Sequence, residues 1–175
     1  MATSHQISIE DYLETTYRPD RDYVDGEVEE RNVGEKEHSI VQAFFVKWFG
    51  SFESQWELEA IPKIRMRIGA NRVRIADIAI ERIGAPYEAV LTTPPIAVVE
   101  ILSPKDRVSR YQERLEDYRA MGVRNLWVID PMRCKAYDCS AVDWQPVQEL
   151  GLTGTQIRIP LAKLWERLAQ IHSSR

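Results

Sequence analysis

The sequence predicts an α/β fold in which a central mixed β-sheet carries helices on both faces. Three observations carry that expectation. From Glu35 to about Gln55, residues Ile40, Val41, Phe44, Phe45, Trp48, Phe49 and Phe52 recur at a 3.6-residue period, which marks an amphipathic helix. The period then drops to two: Trp56, Leu58, Ala60, Pro62, Ile64, Met66 and Ile68 alternate with Glu57, Glu59, Lys63, Arg65 and Arg67, as in a strand with one wet face. Two short runs, VRIADIAI and IAVVEILS, are almost wholly apolar, as strands covered on both faces are. Strands of that kind need helices above and below them.

The remaining elements follow from local chemistry. SIEDYLETT reads as a short helix with Ser8 as N-cap and Asp11 in the capping-box position. In DYVDGEVEER, Asp25-Gly26 suits a type I′ turn between two short strands. Ser103-Pro104 ends the second apolar run. DRVSRYQERLEDYRAMG then forms a helix with Val108, Tyr111, Leu115, Tyr118 and Met121 on one side and Gly122 at its end. NLWVID is another buried strand, turned at Pro131 into CKAYDC, and IPLAKLWERLAQIH closes the chain as an amphipathic helix. No repeat, low-complexity tract or linker divides the 175 residues, so a single domain over 1–175 is expected.

Composition narrows the function classes. No stretch approaches the ~20 apolar residues of a membrane span. The N-terminal residues have neither the basic nor the apolar region of a secretory leader. Cys134 and Cys139 are the only cysteines, a pattern of reduced thiols in the cytoplasm rather than of a zinc site. The net charge of −4 argues against a protein that coats nucleic acid indiscriminately. Residues 61–82 nevertheless carry six Lys/Arg against two acids, which leaves room for a locally basic face, although such a run is most often a solvated surface.

Two charges stand where charges are expensive. Glu100 lies inside IAVVEILS and Asp77 inside VRIADIAI. A carboxylate in a buried strand costs several kcal/mol or more unless a cation meets it. Consecutive strands usually neighbour each other, so both acids can reach one point at the sheet edge. A hard divalent ion such as Mg²⁺ answers both burial problems at once. The alternative, which spacing alone favours, is an arginine beside each acid, with Arg65, Arg74 and Arg114 as candidates.

The combination IADIAI, VVEILSP about twenty residues later, a helix ending EDYRAMGV and the strand LWVIDP resembles the Uma-two putative restriction endonuclease family of the PD-(D/E)XK nuclease superfamily. YVDGEVEE and His38 at the start of the long helix fit the same pattern, and the resemblance runs from about Tyr12 to Tyr137. It implies a restriction-endonuclease-like core. It puts Asp77 at the aspartate of the PD motif, with Ala76 where proline is frequent, and Glu100 at the second acidic place. Leu102 takes the usual lysine position. In this family the cation comes instead from the following helix, at the place of Arg114, where arginine stands for the expected lysine. Glu27 matches an early glutamate that adds a ligand or orients water.

The resemblance implies Mg²⁺ or Mn²⁺ held by Asp77, Glu100 and the backbone carbonyl of Ile101, hydrolysing DNA phosphodiester bonds, with RNA not excluded. Arginine cannot practically serve as a base, so Arg114 is expected to clamp phosphate rather than move a proton. Lys105 is a weaker candidate for a replacement ammonium. Double-strand cutting by one small site favours a homodimer. The rival expectation is a catalytically impaired nuclease fold that acts as a nucleic-acid or protein-binding module. His38 reads equally as a solvated first-turn residue, whereas Tyr111 and Tyr118 read as core.

Overall fold

The structure is a computed structural model that describes residues 6–31, 35–105 and 107–174. Asp106, with which the helix after Ser103-Pro104 was expected to open, and residues 1–5 of the N-terminal segment lie outside the described residues. The chain runs α1 (Ile9–Glu14), β1 (Arg21–Val24), β2 (Glu27–Glu30), α2 (Lys36–Ser51), α3 (Glu53–Trp56), β3 (Leu58–Ile68), β4 (Arg72–Arg82), β5 (Ala97–Ile101), α4 (Val108–Met121), β6 (Asn125–Asp130), β7 (Lys135–Asp138), β8 (Gln145–Val147), β9 (Glu149–Gly151), β10 (Arg158–Pro160) and α5 (Ala162–His172).

The expected local signals hold. Ser8 Oγ accepts from the Asp11 amide at 3.0 Å and donates to its carboxylate at 2.7 Å, closing the first turn of α1. Asp25 and Gly26 both take positive φ, 49° and 95°, in the turn joining β1 to β2. Gly122 ends α4 at φ 101°, a conformation that penalises any side chain. The long aromatic helix stops earlier than its period: Ser51 ends α2, and Phe52 separates it from the single turn of α3.

The main sheet follows the order β2-β1-β4-β5-β6-β7-β8, with β3 also on β4; β9 and β10 form a separate pair. All pairings are antiparallel except β5 with β6, which α4 connects. One apolar core packs Val41, Phe45 and Phe49 of α2 and Leu164 and Leu168 of α5 against Ile78, Ile80, Val99 and Trp127. On the opposite face, Leu115 and Tyr118 of α4 pack with Ala79, Val98, Leu126 and Val128. Helices therefore cover both faces, and β5, buried at every residue, lies between them.

The alternation in β3 does not produce a single wet face. Its even-numbered Leu58 and Ala60 pack in the α2/α5 core, whereas Ile64, Met66 and Ile68 pack in the α4 core. β4 makes the same exchange, with Ile78 and Ile80 on one side and Ala76 on the other. The exchange falls at Lys63, whose φ is 57°, opposite Asp77 in the register that pairs Pro62 with Ile78 and Ile64 with Ala76. A left-handed residue inside a strand reverses which face its successors present.

Candidate active site

A strand has two edges, and β3 occupies one edge of β4 from Arg72 to Arg82. The other edge is shared. β1 pairs with it at Arg72 and Val73, and β5 at Ile78, Ala79 and Ile80. Between these two contacts the backbone of β4 is met by side chains. Ile75 N–H donates to Asp22 Oδ1 at 3.0 Å, and Ile75 C=O accepts from Arg31 Nη1 at 2.6 Å. The Asp77 carbonyl accepts from Gln42 Nε2 of α2 at 2.9 Å. Buried backbone groups require such partners, so the fork between β1 and β5 draws polar side chains to one place.

Asp77 sits in that fork and is 1% exposed. Its Oδ1 accepts from Arg31 Nη2 at 2.8 Å and lies 3.0 Å from Lys63 Nζ and 3.2 Å from His38 Nε2. Its Oδ2 accepts from the Ile101 amide at 2.9 Å. Glu100, on the adjacent β5, is fully buried and takes the Tyr118 hydroxyl on Oε1 at 2.7 Å. Its Oε2 lies 3.5 Å from the same Arg31 Nη2 and 3.8 Å from Arg114 Nη1. The two carboxylates thus converge on one point, and Arg31 holds it.

A third buried acid completes the cluster. Asp22 of β1 receives Arg31 on Oδ1 at 3.3 Å, and Arg114 Nε at 3.1 Å and Arg74 Nη1 at 3.3 Å on Oδ2. Arg74 also meets Asp117 of α4 at 2.7 Å, and Arg72 meets it at 2.9 Å. Within the basic run 61–82, Arg74 thus turns inward to ion pairs, whereas Lys63 and Arg72 pair with acids while remaining about a third exposed. Arg65 differs from the expected carboxylate partner: it donates to the carbonyls of Leu13 and Thr15.

The electrostatics separate the acids. Burial alone would raise the pKa of Asp77, but Arg31, the hydrogen bond from His38 and the Lys63 charge outweigh it and hold Asp77 well below the ordinary carboxylate value. Asp22 is likewise lowered, because Arg31, Arg114 and Arg74 overcome its burial. Glu100 moves the other way. Burial and then repulsion by Asp77 raise it, and Arg31, Arg114 and Tyr118 offset this only in part. Tyr118 is pushed far up by its own burial and by the Glu100 charge, so its phenol stays a proton donor.

Asp77, Glu100, Ile101 and Arg114 all come to the fork, though not all as expected. The Ile101 carbonyl accepts the Tyr111 hydroxyl at 3.1 Å, which leaves one lone pair. Arg114 is 3% exposed, spends its Nε on Asp22 and lies with its guanidinium carbon 5.4 Å from the Tyr111 ring centroid. Glu27 begins β2, is exposed and takes part in none of the described ion pairs. Lys105 is 72% exposed at its side chain and lies 3.9 Å from Glu35.

Two hard carboxylate oxygens directed at a common point suit Mg²⁺ or Mn²⁺ by donor type. Among the described residues, however, no group of three His, Cys, Asp or Glu side chains is arranged for a metal. Arg31 Nη2 fills the point the two carboxylates share, 2.8 Å from Asp77 and 3.5 Å from Glu100.

The family model for Uma2, described as putative restriction endonuclease, matches residues 9–167. The chain belongs to the Uma2 family. A solved structure, a putative nuclease belonging to DUF820 from Anabaena variabilis ATCC 29413, shares the fold at a TM-score of 0.79 and 17% identity, covering 93% of this chain and 99% of its own. No curated protein matches. No helix among the described residues is long and apolar enough to cross a membrane.

In this Uma2 member, reading the sequence alone misses Asp22, Arg31 and Lys63 and leaves His38 undecided. His38 is 8% exposed and reaches Asp77, so the solvated reading of it fails. Pro62, a residue that rarely sits within a paired strand, was the available signal of an irregularity at Lys63.

Proposed function

We propose that the protein is an endonuclease that hydrolyses DNA phosphodiester bonds with Mg²⁺ or Mn²⁺, working as a single domain over 1–175 in the cytoplasm, as a homodimer. The carrying observation is the convergence of Asp77 and Glu100, from adjacent strands, on one cation position. Asp77 and Glu100 are the residues that would hold the ion, with the Ile101 carbonyl as a further donor. When bound, the ion supplies Lewis acidity toward a phosphoryl oxygen and toward the attacking water.

The chain's own residues prepare that chemistry. Asp77 stays anionic because its cationic neighbours hold its pKa down, and the amide of Ile101 fixes its second oxygen. Tyr118 orients Glu100 from α4. Arg31, between Asp77 and Glu100, keeps the two acids from repelling each other apart. Arg114 keeps Asp22, and through it the β1 side of the fork, in position.

A second reading keeps the fold without turnover, as a nucleic-acid or protein-binding module. Arg31 between the carboxylates favours it, since a guanidinium that never leaves makes the pair a structural ion cluster. Incubation of the purified protein with plasmid DNA and Mn²⁺ distinguishes the two. The enzyme reading predicts cutting that EDTA and Asp77→Ala both abolish. It also predicts that Mg²⁺ or Mn²⁺ raises the melting temperature of the wild type but not of Glu100→Gln. DNA binding with no cutting in any metal gives the module reading instead.

A further inference from the structure

We propose that Lys63 is the residue that grips the scissile phosphate, so that the DNA backbone comes onto the site over β3. The inference rests on the nuclease reading and assigns its substrate contact. It replaces Arg114, which the family pattern puts in that role.

The cations around the two carboxylates differ in what they can reach. The Arg31 and Arg114 side chains are 6% and 3% exposed; both terminal nitrogens of Arg31 and the Nε and Nη1 of Arg114 are engaged by Asp22, Asp77, Glu100 and backbone. Neither can turn to a phosphate without stripping a buried carboxylate of its partner, which is strongly unfavourable. The His38 side chain is 10% exposed. Lys63 is 33% exposed and is the open cation among those touching Asp77. An ammonium has three donors, and among the described contacts only one is used, toward Asp77 Oδ1 at 3.0 Å. A phosphoryl oxygen arriving from solvent therefore meets Lys63 before the other cations that touch Asp77.

The backbone points the same way. Lys63 has φ 57°, a left-handed conformation in the middle of a strand, which glycine or asparagine takes more readily than lysine. Backbone strain of this sort concentrates at functional sites. Here it coincides with the exchange of faces in β3 and sets the side chain directly across from Asp77. Lys63 shares Asp77 Oδ1 with Arg31 and His38, and the Ile101 amide meets Oδ2, so its ammonium is one of several partners of this carboxylate. A lysine held in a conformation that its backbone disfavours, open to solvent and with donors to spare, is explained by a further group that it binds.

The test measures anisotropy of a short labelled DNA duplex with Ca²⁺ in place of Mg²⁺, and plasmid cutting with Mn²⁺, for the wild type, Lys63→Gly, Lys63→Gln and Lys63→Arg. Glycine fits the backbone and so offsets the lost charge beside Asp77, and Lys63→Gly is expected to stay folded and melt near the wild-type temperature while its DNA affinity falls roughly ten-fold at low salt. The slope of log Kd against log salt is expected to fall by about 0.9, the signature of one lost phosphate contact. Lys63→Gln reports the same loss with the strand backbone and a side chain of similar reach retained, and Lys63→Arg restores most of the affinity. Wild-type affinity, salt slope and cutting in both Lys63→Gly and Lys63→Gln would overturn the assignment and leave the nuclease reading standing. A wild type that neither binds nor cuts DNA overturns both.

Discussion

Ile78 and Ile80, in the second half of β4, are fully buried among Phe45, Phe49 and Val99. Arg74, in the first half of the same strand, is 1% exposed, and Asp22, Glu29, Glu113 and Asp117 all lie within 3.3 Å of its nitrogens. The two halves are equally buried and are stabilised differently. Each isoleucine contributes about 1.5–3 kcal/mol by leaving water, independently of any single partner. The ions lose several kcal/mol apiece to desolvation and recover it only from one another, so the ionic half is stable as a complete set and contributes little net stability. What it provides is geometry: the same set holds β1, β4, β5 and α4 around the fork.

The sharpest break in this comparison is Arg74→Met, which keeps volume but leaves Asp22 and Asp117 short of a counter-charge. A loss of about 3–5 kcal/mol in urea unfolding is expected. A loss below about 1 kcal/mol would mean that water reaches the cluster. Ile80→Val, in the apolar half, should cost only about 0.5–1.5 kcal/mol, and it should do so equally at all pH values.

The pH dependence sharpens the contrast within the ionic half. Asp22 and Asp77 have folded pKa values below their ordinary ones, so their contribution is complete above the ordinary value near 3.8 and is lost as pH falls through the lowered ones. Glu100 is raised above 4.5, so the folded state binds its proton more readily, and its contribution declines as pH rises from 4.5 through the raised value. Melting at pH 7 should therefore place Asp77→Asn below the wild type and Glu100→Gln at or above it, with the Glu100→Gln advantage shrinking toward pH 4. The reverse order at pH 7 would show that Glu100, not Asp77, is the better-compensated acid. The smallest effect belongs to the surface: the Arg133 side chain is 74% exposed in its pair with Asp130, and Arg133→Ala should stay within about 0–1 kcal/mol and vanish in high salt.

The apolar half was readable in the sequence because period and burial agree there. The α2 stripe, the β4 and β5 runs and most of the α4 face appear in the structure where their patterns put them; Val108, at the first turn of α4, is the exception and lies 59% exposed. Asp77 and Glu100 were visible for the same reason, as charges interrupting apolar runs. Asp22 and Arg31 were not, because they lie in DYVDGEVEER, where more than half the residues are charged and a charge reads as wet. Their burial arises from β1 sharing an edge of β4 with β5, a relation between segments far apart in the chain. Lys63 was hidden by the regular alternation around it, which persists in the sequence while the strand reverses its faces. β8, β9 and β10 were missed because three-residue strands are too short to show a period.

The fork also orders the assembly of the molecule in time. The β3–β4 hairpin closes through a tight turn at Gly69–Asn71, whereas the contacts of Arg31 with Asp77 and Glu100 and of Arg114 with Asp22 span 46, 69 and 92 residues. Loop-closure entropy grows with such separations, so the hairpin forms on its own while the three acids meet only after distant segments have docked. The ion cluster at the fork is accordingly expected to be the last part of the chain to assemble, since β1, β4, β5 and α4 must all be in place before its charges meet.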